Sequence, residues 1–267
     1  MTTDRQSPRP VGVIGLGAMG AGIAASLRRA GCRVHAYDIR PGVAAAFVEQ
    51  GGVACATLAD MAADCDIVVS VVVNASQTEA VLFGEGGIAS TLRPGSVFVM
   101  CSTVDPTWSA ALETRLAALG IHYLDAPISG GAAKAAAGQM TMMTAGTAAA
   151  YAACGDVLES MAGKVYRLGD RAGAGSKVKI INQLLAGVHI AAAAEAMALG
   201  LRAGVDAEAL YDVITHSAGN SWMFENRMPH VLAGDYTPLS AVDIFVKDLG
   251  LVLDTCLLYT SPSPRDS

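Results

Sequence analysis

The chain has 267 residues, 52% of them hydrophobic and 16% charged, with a formal net charge of −6. That is enough apolar chain for a sizeable core in one or two domains. No basic run exceeds two residues, which argues against a nucleic-acid partner. The six cysteines include no CxxC pair; such usage suits reduced thiols in a cytoplasmic protein and gives no metal site.

Residues 1–10 (MTTDRQSPRP) lack the apolar core of a signal peptide and read as a disordered lead. Short apolar runs then alternate with helical patterns. Strands are expected at 11–15, 33–38, 67–73, 96–102, 122–126 and 140–145, with helices at 18–30 and 41–50 among those between them. The run at 67–73 is continuously apolar, as a strand buried on both faces should be. This alternation predicts a Rossmann-type, doubly wound parallel sheet over 11–172. The pattern then changes. Gly173 and Gly175 punctuate a loop, and 176–203 reads as one helix about 42 Å long, a spine leading out of the sheet domain. Further helices at 206–215, 221–232 and 240–255 give an all-α domain over 173–255. No apolar stretch is judged to reach the roughly 18 residues of a membrane span, so no membrane role is expected. Residues 256–267 break the helical pattern. Their string CLLYTSPSPRD resembles the conceptual translation of a sequencing-library adapter, so they read as a non-native tail on a truncated helical domain.

Gly15-Leu16-Gly17-Ala18-Met19-Gly20 follows a strand and opens a helix. In that setting GxGxxG is a dinucleotide fingerprint. Gly15 allows the tight turn, Gly17 the approach of a pyrophosphate, and Gly20 close helix–strand packing. Asp38 ends the second strand, where a carboxylate can accept hydrogen bonds from ribose hydroxyls and repel a 2′-phosphate. This favours NAD over NADP, although Arg40 nearby could serve the phosphate. No GxxxxGK[ST] loop is present.

Three later segments carry polar residues that a plain core does not need. Cys101-Ser102-Thr103 lies at the carboxyl end of a strand, where open sheets bind ligands. Thr103 there could alternatively cap the helix entered at Pro106. Ser129-Gly130-Gly131 ends another strand and can offer a hydroxyl and backbone N–H groups to a carboxylate; it could also be a plain turn. In GSKVKIINQ, Lys179 and Asn182 share a helix face and could hold a substrate hydroxyl between them.

Together GLGAMG, STV, DAPISGG and KIINQ, in this order and spacing, resemble the β-hydroxyacid dehydrogenase family over about 11–255. The segment from AGNSWMFENR to FVKDLG is most similar to its L-threonate-oxidising branch. The resemblance implies a Rossmann domain, a connecting helix and an all-α domain that helps form homodimers or homotetramers. It implies Lys179 as the catalytic lysine, Asn182 orienting substrate, and Ser129, Gly130 and Gly131 on the carboxylate. It places Thr103 between cofactor and substrate, and Lys247 on the nicotinamide side with Asp248 beside it. Lys134 stands where many members of the family have glycine. The expected activity is NAD-dependent oxidation of a small hydroxy acid, L-threonate to its 2-oxo acid. The alternatives are 3-hydroxyisobutyrate oxidation, tartronate semialdehyde reduction, or a non-catalytic dinucleotide-binding protein.

Overall fold

The computed structural model describes residues 9–237 and 241–259. Its first unit, reaching to Lys179, is built on nine strands. They are β1 (Pro10–Ile14), β2 (Arg33–Tyr37), β3 (Val53–Ala54), β4 (Ile67–Ser70), β5 (Val97–Met100), β6 (His122–Asp125), β7 (Ile128–Ser129), β8 (Met140–Gly146) and β9 (Ala162–Arg167). The order begins β3-β2-β1-β4-β5-β6, every neighbour parallel. This 3-2-1-4-5-6 order is that of doubly wound dinucleotide folds. β4 and β5 are buried at every position, which is why their sequences read as unbroken apolar runs.

The wholly parallel sheet is corrected in one region. β8 runs antiparallel to β6 and β7, and β9 lies parallel to β8. An apolar run buried on both faces looks the same in either direction, so MTMMTAG could not announce its polarity.

Helices cover both faces. One core packs Ile23 and Leu27 of α1 (Ala18–Arg29), Phe47 of α2 (Val43–Val48), Ala135 of α6 (Gly131–Ala137) and Cys154 of α7 (Ala148–Met161) onto Val11, Val69 and Val99. The other packs Met61 of α3 (Leu58–Asp64), Leu82 of α4 (Ala75–Phe83) and Leu112 of α5 (Pro106–Ala117) onto Val68, Phe98 and Met100. Alternate strand residues feed the two cores, as a pleated sheet requires.

Local chemistry sets the helix ends. Thr57 and Asp60 form a reciprocal capping box on α3. α5 starts at Pro106 with Asp105 as its cap, accepting from the N–H of Thr107 and Trp108 at 2.8 Å. The capping alternative for Thr103 is thereby overturned: Asp105 stands directly before the proline, where its carboxylate reaches two unpaired N–H groups. The expected lead also shortens. Pro10 belongs to β1, and Arg9 Nη1 donates to both Asp156 carboxylate oxygens at 2.6 and 2.7 Å. The rest of the lead, residues 1–8, lies outside the described residues.

The long helix α8 (Ala174–Arg202) takes in Gly175, which the sequence assigned to a loop. A Cβ on Gly175 would overlap the Met143 carbonyl oxygen, so glycine lets the first turn press against β8. The boundary between the two units falls inside α8, between Lys179 and Ile180. α8 also has the length and hydropathy of a membrane span, against the sequence expectation. Between Ile180 and Leu201 the only acidic or basic side chains are Glu195 and His189, too few to lower its mean hydropathy.

Every regular element among the second unit's described residues is a helix. It holds the remainder of α8 with α9 (Ala207–Thr215), α10 (Trp222–Leu232) and α11 (Asp243–Tyr259). Its core joins Ala193, Met197, Phe224 and Met228, with Tyr211 stacked on Phe224 at 5.7 Å. Asp206 and Ser221 cap α9 and α10. The expected start of the last helix at 240 lies outside the described residues. α11 continues through Tyr259, beyond the expected break at 256, and residues 260–267 are not described.

Candidate functional site

The loop from Gly15 to Gly20 joins β1 to α1. Gly15 has φ +88°, and a Cβ there would sit 2.6 Å from the Val71 carbonyl oxygen. A Cβ on Gly20 would overlap the Gly15 carbonyl oxygen. Gly17 differs: it is exposed, and its Cβ position has nothing within 4 Å. Gly17 is the N-cap of α1, which has no side-chain cap and no acidic residue in its first turn. Unpaired N–H groups and the positive end of a twelve-residue helix therefore face open space. Ala18 is exposed there, and Met19 turns back onto the core. These residues fit a pyrophosphate.

Asp38, just after β2, is fastened to that loop. Its Oδ2 accepts the Leu16 N–H at 2.7 Å. Arg40 grips the same carboxylate, donating from its backbone N–H and Nε to Oδ1 and from Nη2 to Oδ2, each at 2.9 Å. The Arg40 fork, against some burial, holds the Asp38 carboxyl down at about 2. The Asp38 side chain is 5% exposed and that of Arg40 56%. A cavity of about 390 Å³ adjoins them, lined also by Tyr37, Pro41 and Cys55.

At the far side of the parallel array, Asp125 ends β6 and is fully buried. Its carboxylate accepts the Gly173 N–H at 2.8 Å, the Ser176 N–H at 2.9 Å and the Ser176 hydroxyl at 2.7 Å. Burial pushes the Asp125 carboxyl above its ordinary value, against the pull of those donors. A second carboxylate, Glu113 of α5, accepts Arg171 Nε at 2.8 Å and the Ala172 N–H at 3.3 Å. The loop into α8 is thus bolted at two points. Lys179 lies one turn beyond Ser176 and is 6% exposed.

Ser129 and Gly130 are half-buried and Gly131 is exposed, with φ +139° at Gly130 and +77° at Gly131. Both angles lie where only glycine is at ease. Thr103 is half-buried in the loop after β5, between the carboxyl ends of β4 and β6. Neighbouring Ser102 fixes that loop by donating to the Val72 carbonyl at 2.7 Å.

In the second unit, Gln183 Nε2 donates to Asp248 Oδ2 at 2.6 Å and its Oε1 accepts Asn182 Nδ2 at 3.2 Å. Lys247 Nζ lies 2.8 Å from Asp248 Oδ1. Asn182 and Lys247, both singled out from sequence, are thereby linked through Gln183 and the buried Asp248. His216 and Asn220, in contrast, finish α9 through the carbonyls of Asp212 and Thr215.

Sequence reasoning missed the roles of Asp125, Ser176 and Gln183. The only signal was a polar residue where strand or helix should be apolar.

Residues 10–169 match the family described as the NAD binding domain of 6-phosphogluconate dehydrogenase. Residues 173–264 match that described as the NAD-binding domain of NADP-dependent 3-hydroxyisobutyrate dehydrogenase. The chain belongs to the 3-hydroxyisobutyrate dehydrogenase-like family. This dehydrogenase is 66% identical over 256 residues to an L-threonate dehydrogenase of Cupriavidus necator, covering 96% of this chain and 86% of that one. It is 52% identical to an L-threonate dehydrogenase of Escherichia coli, covering 96% and 85%. A crystal structure from Salmonella typhimurium titled 3-hydroxyisobutyrate dehydrogenase superposes with a TM-score of 0.89 at 52% identity, covering 96% and 90%. The family is NAD(P)-binding, and α8 lies wholly within the second matched family, so its apolar length belongs to a dehydrogenase domain.

Proposed function

We propose that this dehydrogenase oxidises a small hydroxy acid, L-threonate at its C2 hydroxyl, to the 2-oxo acid, with NAD as acceptor. The observation that carries the reading is Lys179: a buried lysine one turn beyond Ser176, on the helix start that Asp125 bolts to the carboxyl end of the sheet. The names of the 52–66% identical relatives support the substrate.

The 15–20 loop and the α1 N-terminus take the pyrophosphate, and Asp38 takes the adenosine ribose. Bound nicotinamide supplies the hydride acceptor. Everything else falls to the chain's own groups. Ser129, Gly130 and Gly131 hold the carboxylate, Asn182 orients the hydroxyl, Thr103 lies between substrate and cofactor, and Lys247 closes the nicotinamide side. As the C2–H bond breaks, Lys179 takes the hydroxyl proton when neutral, or stabilises the developing alkoxide when charged. Positioned proton transfer of this kind contributes ~10²–10⁴-fold.

NAD is favoured over NADP because Asp38 is anionic at any working pH. The Arg40 fork narrows that preference by offsetting the charge. Buried Cys55, Cys101 and Cys154, their thiols pushed up to about 11, 12 and 12 by burial, suit a reducing cytoplasm. Exposed Leu199, Val213 and Val246 on the second unit support a homo-oligomer, which sedimentation would test.

The experiment is a substrate panel read by NADH absorbance: L-threonate, 3-hydroxyisobutyrate and D-glycerate, with wild type and Lys179→Ala. Lysine-dependent turnover of L-threonate alone is expected. Preference for 3-hydroxyisobutyrate would favour the activity in the Salmonella structure's title. NADH binding without any turnover would favour a non-catalytic dinucleotide-binding protein.

A further inference from the structure

Lys134 is the only charged side chain between Asp125 and Asp156 in the sequence. It sits in α6, directly after the 129–131 loop. Its place is set by packing. A Cβ on Gly22 of α1 would come within 2.6 Å of the Ala136 nitrogen and 3.0 Å of the Ala135 carbonyl carbon. Glycine therefore lets α6 lie directly on α1, with Ala135 fully buried between them. That fixes the rotation of α6 and turns Lys134 towards the loop. Its Cβ and Cδ both lie 3.0 Å from where a Gly130 Cβ would be.

The aliphatic stem of Lys134 is thus laid across Gly130, and the residue remains exposed. A lysine so placed covers backbone with its methylenes and keeps its ammonium at the rim. Beyond the stem, the Cβ position of Gly131 has nothing within 4 Å. The loop combines three features: backbone in the glycine-only region, a serine hydroxyl, and a lysine whose stem lies across Gly130. Hydroxyl and N–H groups alone bind an acid and its uncharged amide almost alike. A cation separates them.

We propose that Lys134 is the charge partner of the substrate carboxylate at the 129–131 loop, and that it sets the site's preference for a small carboxylate over an uncharged analogue. This rests on the hydroxy-acid reading above. Loss of one charge-assisted hydrogen bond predicts a ten- to hundredfold effect, in round numbers about 10–100.

The test compares L-threonate with L-threonamide in wild type, Lys134→Met and Lys134→Arg. Lys134→Met should raise KM for L-threonate by about ten- to hundredfold, with the loss carried by KM rather than kcat. It should leave the amide unaffected, and Lys134→Arg should restore the discrimination. Equal effects on acid and amide, or none on either, overturn the proposal. If wild type turns over no hydroxy acid, the functional reading fails. L-threonate binding to the NADH-loaded protein, followed by NADH fluorescence, then decides this one separately. Binding weakened by Lys134→Met upholds the carboxylate site; binding that is equal in both, or absent, overturns it.

Discussion

Two aspartates stand at the carboxyl ends of parallel strands, Asp38 after β2 and Asp125 in β6, and they do opposite work. Asp38 is met largely by the half-exposed Arg40 guanidinium and is held at about 2. Asp125 is met by two backbone N–H groups and a buried hydroxyl, and burial pushes it upward. A half-exposed cation can exchange its carboxylate for a ligand. Backbone donors fixed in a helix turn cannot. Position at a strand end therefore does not decide a carboxylate's role; the identity of its donors does.

The comparison can be broken most forcefully at Asp125. Asp125→Ala strands the Gly173 and Ser176 donors in the interior, which should cost about 2–5 kcal/mol in urea unfolding, while the affinity for NAD in the folded fraction stays as in wild type. Equal stability of this variant would show that the bolt is not structural. Asp38→Ala should do the reverse. NAD binding by calorimetry should weaken about tenfold or more and NADP should gain on it, with little change in unfolding. Arg40→Ala sharpens the point, because NADP should lose more than NAD. Within the second unit, Gln183→Leu leaves Asp248 Oδ2 without its donor and should cost about 1–3 kcal/mol in stability.

The smallest effect is in pH. Asp38 has a folded value of about 2 against an ordinary 3.8. A depressed acid contributes stability above its unfolded value and loses it as pH falls towards the folded one. The gap in melting temperature between wild type and Asp38→Asn should be level from neutrality to about pH 4 and narrow below it. A gap unchanged down to about pH 2 would show that Arg40 does not hold that carboxylate.

Much of this was legible because its cause is local. GLGAMG marks a tight strand-to-helix turn, Ser221 opens a helix, and the lack of Gly or Pro clusters across 176–203 gives α8 within two residues. The doubly wound class followed from alternating strands and helices, but the order of the strands in the sheet did not. Local sequence carries no trace of partners far along the chain. Asp125 meets Ser176 across 51 residues and Gln183 meets Asp248 across 65. Strand polarity was hidden for the same reason: β8 is antiparallel because of where the chain re-enters the sheet, and nothing in its side chains records that. Lys134 was visible only as an oddity until Gly22 and Gly130 showed what holds it.

The most direct test of the central claim is NADH formation from L-threonate by wild type beside Lys179→Ala, with NADH binding measured on both. The expected result is turnover by wild type, a fall of ~10²–10⁴-fold in kcat for the variant, and unchanged NADH affinity. Turnover by Lys179→Ala at the wild-type rate would contradict the assignment of the buried lysine as the proton acceptor.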